Sequence, residues 1–123
     1  MDNYRRGWAL RYLREAKAEL AAARKMPYMA PSLTIEAIRK ARNAIFYSLG
    51  EPAFIEIVVR ETVEKAQPID DPVLKCLVEV EGLILQMTQL EEGDGNVTMK
   101  QADNLVQLAS DIVETLTGEK VED

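Results

Sequence analysis

The sequence predicts an all-α protein, an antiparallel up-and-down helical bundle of four long helices plus one shorter helix. Apolar residues recur at alternating spacings of three and four along most of the 123 residues, which is the period of one helix face. Prolines and glycines separate these segments, and short connections favour antiparallel neighbours. A chain of this length holds one core, so we expect a single domain over residues 1–118 and an acidic, frayed tail over 119–123.

The first two segments are predicted as long amphipathic helices. The first, 8–25, has an apolar face that consists of Ala9, Leu13, Ala16, Leu20 and Ala23. The second is expected to begin after an N-cap at Ser32 and to stop at Gly50, since serine caps helix starts and glycine follows helix ends. Its apolar face consists of Ile35, Ile38, Ala41, Ile45 and Leu49.

The third and fourth segments follow at 53–66 and from Val73 onward. The third, the shorter helix, is rich in β-branched residues that favour strands, but the chain has no second strand candidate to pair with it. Asp71 followed by Pro72 is typical of a helix start. The apolar stripe of the fourth helix is widened on both sides, so we expect this helix to be the most buried. The stripe consists of Val73, Leu77, Val80, Ile84 and Met87.

The last predicted helix follows the Gly-Asp-Gly-Asn turn at 93–96. Thr98 and Gln101 have the spacing of a capping box, in which the two side chains satisfy backbone N–H groups at a helix start. Its inner face is predicted to consist of Ala102, Leu105, Ala109, Ile112 and Leu116. The helix is therefore expected to begin after Thr98 and to stop at Gly118.

The composition excludes several classes of site. Histidine is absent and Cys76 is the only cysteine, so the chain lacks the commonest general base and any zinc site built from several cysteines. Glycine-rich phosphate loops, a nucleophile elbow and a dinucleotide fingerprint are also missing from the sequence. We therefore expect no enzymatic activity, no cofactor and no metal site, and we interpret Cys76 as a small buried thiol.

Charge is divided unequally along the chain, whose net charge is −6. Residues 1–50 hold ten Lys/Arg against four Asp/Glu, whereas residues 51–123 hold five against seventeen. Such a division is consistent with charge pairing between the halves, with self-association, or with a local basic patch on an acidic protein.

Six basic residues of the first helix, called here the basic arc, lie within about 140° of each other on the helical wheel, and no acidic residue interrupts them. They are Arg6, Arg11, Arg14, Lys17, Arg24 and Lys25. The basic arc suits nucleic-acid phosphates or an acidic protein surface, or it is a solvated face partly neutralised by acidic residues of the second half. No aromatic residues interleave it to stack bases, so nucleic acid is a possible partner but not the favoured one.

Arg42 lies on the flank of the apolar face of the second helix and not among its polar residues. An arginine there needs a partner. Three arrangements meet this need: a dimer contact, an internal ion pair with an acidic residue of the second half, or a side chain that extends outward to water. The sequence leaves all three open.

Three segments that together span most of the chain carry a family resemblance. They are Tyr12-Leu13-x-x-Ala16-x-x-Glu19-Leu20, the helix at 37–49, and Ala102-x-x-Leu105-x-x-x-Ala109-x-x-Ile112. Together they resemble the HEPN superfamily, which implies a dimeric helical bundle, often beside a nucleotidyltransferase partner. Many members cut RNA with an arginine and a nearby histidine at the dimer interface. Arg42-Asn-Ala-Ile-Phe-Tyr47 echoes that motif with tyrosine in place of histidine, so the resemblance does not carry over the ribonuclease chemistry.

The resemblance and the composition lead us to expect a non-catalytic HEPN-like interaction module, a homodimer that binds a protein or a nucleotidyltransferase-type partner. Arg42 and Tyr47 are the candidate dimer or partner contacts. The alternative is RNA or DNA binding through the basic arc, with an affinity that falls steeply with salt. The sequence has no run of 18 apolar residues and no signal-peptide segment, so we predict a cytoplasmic protein without membrane contact.

Overall fold

The computed structural model describes residues 2–65, 68–89 and 95–121, with the backbone alone described at 83, 86–89 and 95–98. This part of the chain is all-helical and contains no β-strand, which confirms the prediction of an all-α protein. Its helices are α1 (Asn3–Lys25), α2 (Ala30–Leu49), α3 (Pro52–Lys65), α4 (Pro72–Gln89) and α5 (Gly95–Thr117). A short 3₁₀ helix, Pro27–Met29, joins α1 to α2. The shorter helix is α3, with 14 residues.

Aspartate side chains cap two helix starts. Asp2 Oδ1 accepts a hydrogen bond from the backbone N–H of Arg5 at 2.7 Å, and Asp71 Oδ1 accepts one from that of Val73 at 2.8 Å. Both bonds satisfy N–H groups that have no partner within the helix. The cap at Asp71 is the predicted one. The cap at Asp2 explains why α1 begins at Asn3, earlier than the sequence pattern indicates.

The predicted caps of α2 and α5 are wrong. Ser32 and Thr98 both lie inside their helices, which begin at Ala30 and Gly95. Pro31 accounts for the first difference, because proline is tolerated in the first turn, where its missing N–H would have no partner. As a result α2 follows directly from the preceding 3₁₀ helix without a side-chain cap.

Alanines line the contact between α1 and α2. Ala44 lies one turn from both Lys40 and Tyr47, two residues that contact α1, so it faces α1 too. The buried residues of α1 are Ala9, Leu13, Ala16, Leu20 and Ala23, and these are the five predicted. The buried residues of α2 are Thr34, Ala37, Ile38, Ala41, Ala44, Ile45, Phe46 and Ser48. Small side chains at a helix contact let the two backbones approach closely.

Among the described residues, α2 is the helix that contacts every other helix, whereas α4 contacts α2, α3 and α5. A helix with so many neighbours needs a wide apolar surface, which explains why α2 buries residues outside its predicted face. Of that predicted face, Ile38, Ala41 and Ile45 are buried, whereas Ile35 is half-buried and Leu49 is 36% exposed. The expectation that α4 is the most buried helix includes side chains at 83 and 86–89, which lie outside the described part of the structure.

The inner face of α5 is rotated relative to the predicted one. Its buried residues are Ala102, Val106, Ala109, Ser110, Val113 and Thr117. Leu105 and Ile112 are half-buried at the edge of the core, and Leu116 is 44% exposed. Two apolar stripes overlap in α5, the predicted one and the one that contains Val106 and Val113. The second has the smaller side chains and faces the core, whereas Leu105 and Leu116 of the predicted stripe lie at the edge of the core.

Residues 119–121, called here the C-terminal strap, lie against α1. The chain turns at Gly118, whose φ of 76° lies in the left-handed region that glycine adopts without a steric penalty. Val121 is only 5% exposed and belongs to the hydrophobic core. In the tail expected to be frayed, Val121 is therefore packed in the core, whereas Glu119 and Lys120 are exposed, and residues 122–123 lie outside the described ranges.

Replacing Leu13 by alanine tests the core of the bundle. Because Leu13 is fully buried, Leu13→Ala is expected to lower the free energy of unfolding by about 2–5 kcal/mol. The matched control is Leu108→Ala, which truncates an exposed leucine on α5 and is expected to change it by less than about 1 kcal/mol. Urea unfolding followed by circular dichroism measures both. An equal decrease in the free energy of unfolding for both variants would contradict the placement of Leu13 in the core.

Candidate functional site

Arg42 forms an internal ion pair that joins α2 to α4. Its Nη1 donates a hydrogen bond to Glu81 Oε1 at 3.1 Å, and both side chains are half-buried. The guanidinium also lies over the ring of Phe46, 5.6 Å from the ring centre, where a cation is attracted to the aromatic face. Of the three arrangements open from the sequence, the structure has the internal ion pair.

Tyr47 belongs to an aromatic cluster between the end of α2 and the first half of α1. Its ring stacks on those of Trp8 and Tyr12, with centres 6.1 Å and 5.7 Å apart. Burial raises the pKa of the Tyr47 hydroxyl, and the neighbouring Tyr4, Tyr12 and Glu51 raise it further. The hydroxyl therefore stays neutral near pH 7, and the ring holds the two helices together.

Arg42 and Tyr47 do not form one site within a single copy of the chain. Five positions along an α-helix correspond to a rotation of about 140°, so the two side chains leave α2 in different directions. Arg42 contacts α4, whereas Tyr47 contacts α1. Each is thus engaged inside the bundle.

Half of the basic arc is directed at the acidic C-terminal part of the chain. Arg6 forms an ion pair with Glu119 of the C-terminal strap, and Arg24 forms one with Asp103 of α5. Lys17 Nζ donates a hydrogen bond to the last backbone carbonyl of the strap at 2.8 Å. For these three residues the structure matches the interpretation of a face neutralised by the second half.

The rest of the basic arc faces solvent. Arg14 and Lys25 are exposed, and Arg11 lies over the ring of Trp8, 4.9 Å from its centre. The sequence analysis missed this aromatic neighbour, although Trp8 lies one helical turn before Arg11 and such a spacing brings side chains together. The exposed part of the arc therefore combines basic residues with one aromatic ring.

A groove of about 420 Å³ lies between α1 and α5, next to the part of α1 that the C-terminal strap contacts. The two adjoin at Lys17, which lines the groove and also donates a hydrogen bond to the strap. The groove lining is apolar at Leu20, Ala21 and Val106. Its α1 side is basic at Arg14, Lys17 and Arg24, and its α5 side carries Asp103, which pairs with Arg24.

Contacts of several kinds hold the C-terminal strap. Glu119 forms the ion pair with Arg6, and its backbone N–H donates a hydrogen bond to Thr117 Oγ1 at 3.2 Å. The carbonyl of Val121 accepts the hydrogen bond from Lys17, and the Val121 side chain is buried. The exposed ion pair adds only about 0–1 kcal/mol of stability, so burial of the valine contributes more to holding the strap than the ion pair does.

The outer face of α3 exposes large apolar side chains. Phe54 is 63% exposed and Ile57 is 48% exposed, and the half-buried Val58 adjoins them on the same side of the helix. We call these three residues the α3 patch. Glu51 and Lys65, both exposed and of opposite charge, flank its two ends, and the exposed Glu61 lies on the same side, one turn after Ile57. The fold therefore leaves adjacent large apolar side chains in contact with solvent.

Cys76 is buried in α4, as interpreted from the sequence. Burial, followed by the nearby Glu79, raises the pKa of its thiol to about 11, so the thiol is protonated and unreactive near pH 7. Among the described residues, no group of three or more His, Cys, Asp or Glu side chains is placed to hold a metal ion.

Comparison of the chain with protein-family models, with curated proteins and with solved structures finds no match. In the described ranges, no helix has the length and apolar character needed to cross a membrane. Among the described residues, the α3 patch and the α1 face beside the C-terminal strap are surface features that core packing does not explain.

A double-mutant cycle on Arg42 and Glu81 tests their pairing. Arg42→Met and Glu81→Gln are expected to couple by about 1 kcal/mol in the free energy of unfolding, because each single change leaves a half-buried partner without its ion pair. The exposed pair Arg60 and Glu56, replaced in the same way, is expected to couple by less than about 0.5 kcal/mol. Similar coupling in the two cycles would refute a special role for Arg42.

Proposed function

We propose that this chain is a non-catalytic, HEPN-like helical interaction module that acts in the cytoplasm as a homodimer and binds a protein or nucleotidyltransferase-type partner. The observation that carries the proposal is the α3 patch, in which Phe54 and Ile57 place two large apolar side chains in solvent. Burial of such side chains against another surface is favourable in proportion to the apolar area removed from water.

We infer that the bundle is antiparallel and up-and-down, with α3 inserted among four long helices. The support is the reversed order of contacts between neighbouring helices. Lys40 contacts Glu19, late in α1, whereas Tyr47 stacks on Trp8, early in α1. The ion pairs between α1 and α5 are likewise reversed, since the start of one helix meets the end of the other.

Charge complementarity favours a second copy of this chain as the occupant of the α3 patch. Glu51 and Lys65 lie about 21 Å apart along the helix, at 1.5 Å per residue, with the apolar side chains between them. If α3 packs antiparallel on α3 of a second copy, about a two-fold axis near Val58, each Glu51 meets Lys65 of the second copy. A single helix face thus supplies both members of the ion pair.

Dimerisation through α3 leaves the α1 face open for a protein partner. The starts of α1 and α3 come near each other at Gly50, beside Arg5 and Ile55, but no residue of α3 lines the groove between α1 and α5. A partner bound at α1 and a second copy bound at α3 therefore do not compete. This division is what an interaction module with two binding surfaces requires.

Binding of RNA or DNA by the basic arc is the second candidate function. The contact of Arg11 with Trp8 favours it, because arginine and tryptophan side chains both stack on nucleobases. At least four of the six arc residues are engaged within the chain, since Arg11 forms an ion pair with Glu15 in addition to the contacts of Arg6, Lys17 and Arg24, which leaves fewer charges for phosphates. This function requires an affinity that falls steeply with salt, and a flat response to salt excludes it.

Sedimentation of the Phe54→Ser variant tests the dimer. The substitution removes the largest side chain of the α3 patch, so the dimer dissociation constant is expected to rise at least about tenfold. Val63→Ser is the matched control, because Val63 is 50% exposed on the opposite side of α3 and should leave dimerisation unchanged. Analytical ultracentrifugation over a range of concentrations measures both constants.

Charge reversal then identifies the arrangement of the two copies. Glu51→Lys or Lys65→Glu alone is expected to weaken the dimer, because like charges meet at both ends of the interface. The double variant restores opposite charges and should recover most of the affinity. A chain that stays monomeric at all concentrations, or that responds equally to Phe54→Ser and Val63→Ser, would contradict the proposal.

A further inference from the structure

The C-terminal strap shows which chemical groups the α1 face accepts. The carboxylate of Glu119 pairs with Arg6, and the backbone carbonyl of Val121 accepts a hydrogen bond from Lys17 at 2.8 Å. The Val121 side chain enters the hydrophobic core. The part of α1 under the strap therefore binds three groups of an extended segment. They are an acidic side chain, a backbone carbonyl, and an aliphatic side chain two positions after the acidic residue.

We propose that the α1 face under the C-terminal strap is a docking site for an extended acidic segment of a partner protein, and that the strap competes with this segment for the site. The partner segment carries a glutamate or aspartate followed two positions later by an aliphatic residue, which replace Glu119 and Val121. This proposal rests on the proposed role as an interaction module, but it concerns α1 and is independent of the α3 patch.

The basic face of α1 extends beyond the residues that the described strap contacts. The groove between α1 and α5 shares Lys17 with the strap and is lined further along by Arg14 and by Arg24, which pairs with Asp103. From Arg6 to Arg24 the α1 face spans about 27 Å, which an extended segment of about eight residues covers. A partner segment of that length contacts residues of α1 that positions 119–121 do not reach.

The ion pair between the strap and α1 can be replaced by one from a partner segment at little cost. The Arg6–Glu119 pair is partly exposed, where ion pairs contribute little to stability. Gly118 provides a turn at which the strap can change direction while α5 keeps its position. Leu20 belongs to α1 and lines the adjoining groove, so this part of the site does not depend on the strap.

A peptide fits the site better than a nucleic acid does. Phosphates could replace the carboxylate of Glu119, but a nucleic acid has no aliphatic side chain for the seat of Val121. A nucleic acid bound to phosphate contacts alone would also lose affinity steeply with salt. The site buries an aliphatic side chain at Val121, which a peptide can supply and a nucleic acid cannot.

Nuclear magnetic resonance titration tests the proposal. The probe is the synthetic peptide Gly-Glu-Lys-Val-Glu-Asp, which has the sequence of residues 118–123. The ¹⁵N-labelled chain carries Glu119→Arg and Val121→Ser, which expel its own strap. The peptide is expected to shift amide resonances between Arg6 and Lys17 saturably, with an affinity at least about tenfold higher than for the unsubstituted chain. If this variant does not fold, Glu119→Gln alone replaces it.

Matched controls separate the site from general charge attraction. Lys120→Ser alters an exposed side chain of the strap and should leave peptide affinity as in the unsubstituted chain. In the strap-free variant, Arg6→Glu should abolish binding, whereas Arg39→Glu, on α2, should not. A peptide with serine in place of valine should bind at least about tenfold more weakly.

Three results would overturn the proposal. They are no saturable shift with the peptide, equal affinity for the valine and serine peptides, and equal or tighter binding of a short oligouridine at about 150 mM salt. The outcome is distinguishable from that of the dimer experiment. A chain that stays monomeric but binds the peptide keeps the α1 site, and one that dimerises but ignores the peptide loses it.

Discussion

Alanine side chains allow α1 and α2 to pack closely, and the position of every other element follows from this contact. Ala44 lies between Lys40 and Tyr47 on the face of α2 that meets α1, and Ala16 lies between Tyr12 and Glu19 on the opposing face. α5 then packs against both helices, while α3 and α4 contact the remaining side of α2. Two outer surfaces result, one on α1 and one on α3.

Electrostatics follow from the same arrangement. Among the described residues, ion pairs between the basic first half and the acidic second half tie α1 and α2 to later parts of the chain. These pairs are Arg6–Glu119, Arg24–Asp103 and Arg42–Glu81. Exposed ion pairs add little stability, so their larger effect is on which surfaces stay charged. The α1 face keeps basic residues beside the acidic strap, whereas α3 keeps an apolar patch between opposite charges.

The sequence predicted the features that depend on local spacing. The buried face of α1 is correct because a single apolar stripe runs through it. The face of α5 is wrong because two stripes overlap there, and the packing partners decide between Val106 and Leu116. The sequence indicated that Arg42 needs a partner, but it did not identify Glu81, 39 positions away. The burial of Val121 and the exposure of Phe54 likewise depend on distant contacts that no local pattern encodes.

Overpacking the contact between α1 and α2 tests this account most directly. Ala44 is fully buried, so Ala44→Leu is expected to lower the free energy of unfolding by about 1–3 kcal/mol, because the added atoms force two closely packed helices apart. Ala21→Leu, at an exposed position of α1, should change it by less than about 0.5 kcal/mol. Urea unfolding measures both. An Ala44→Leu variant as stable as the unsubstituted chain would show that α1 and α2 do not approach closely through alanine.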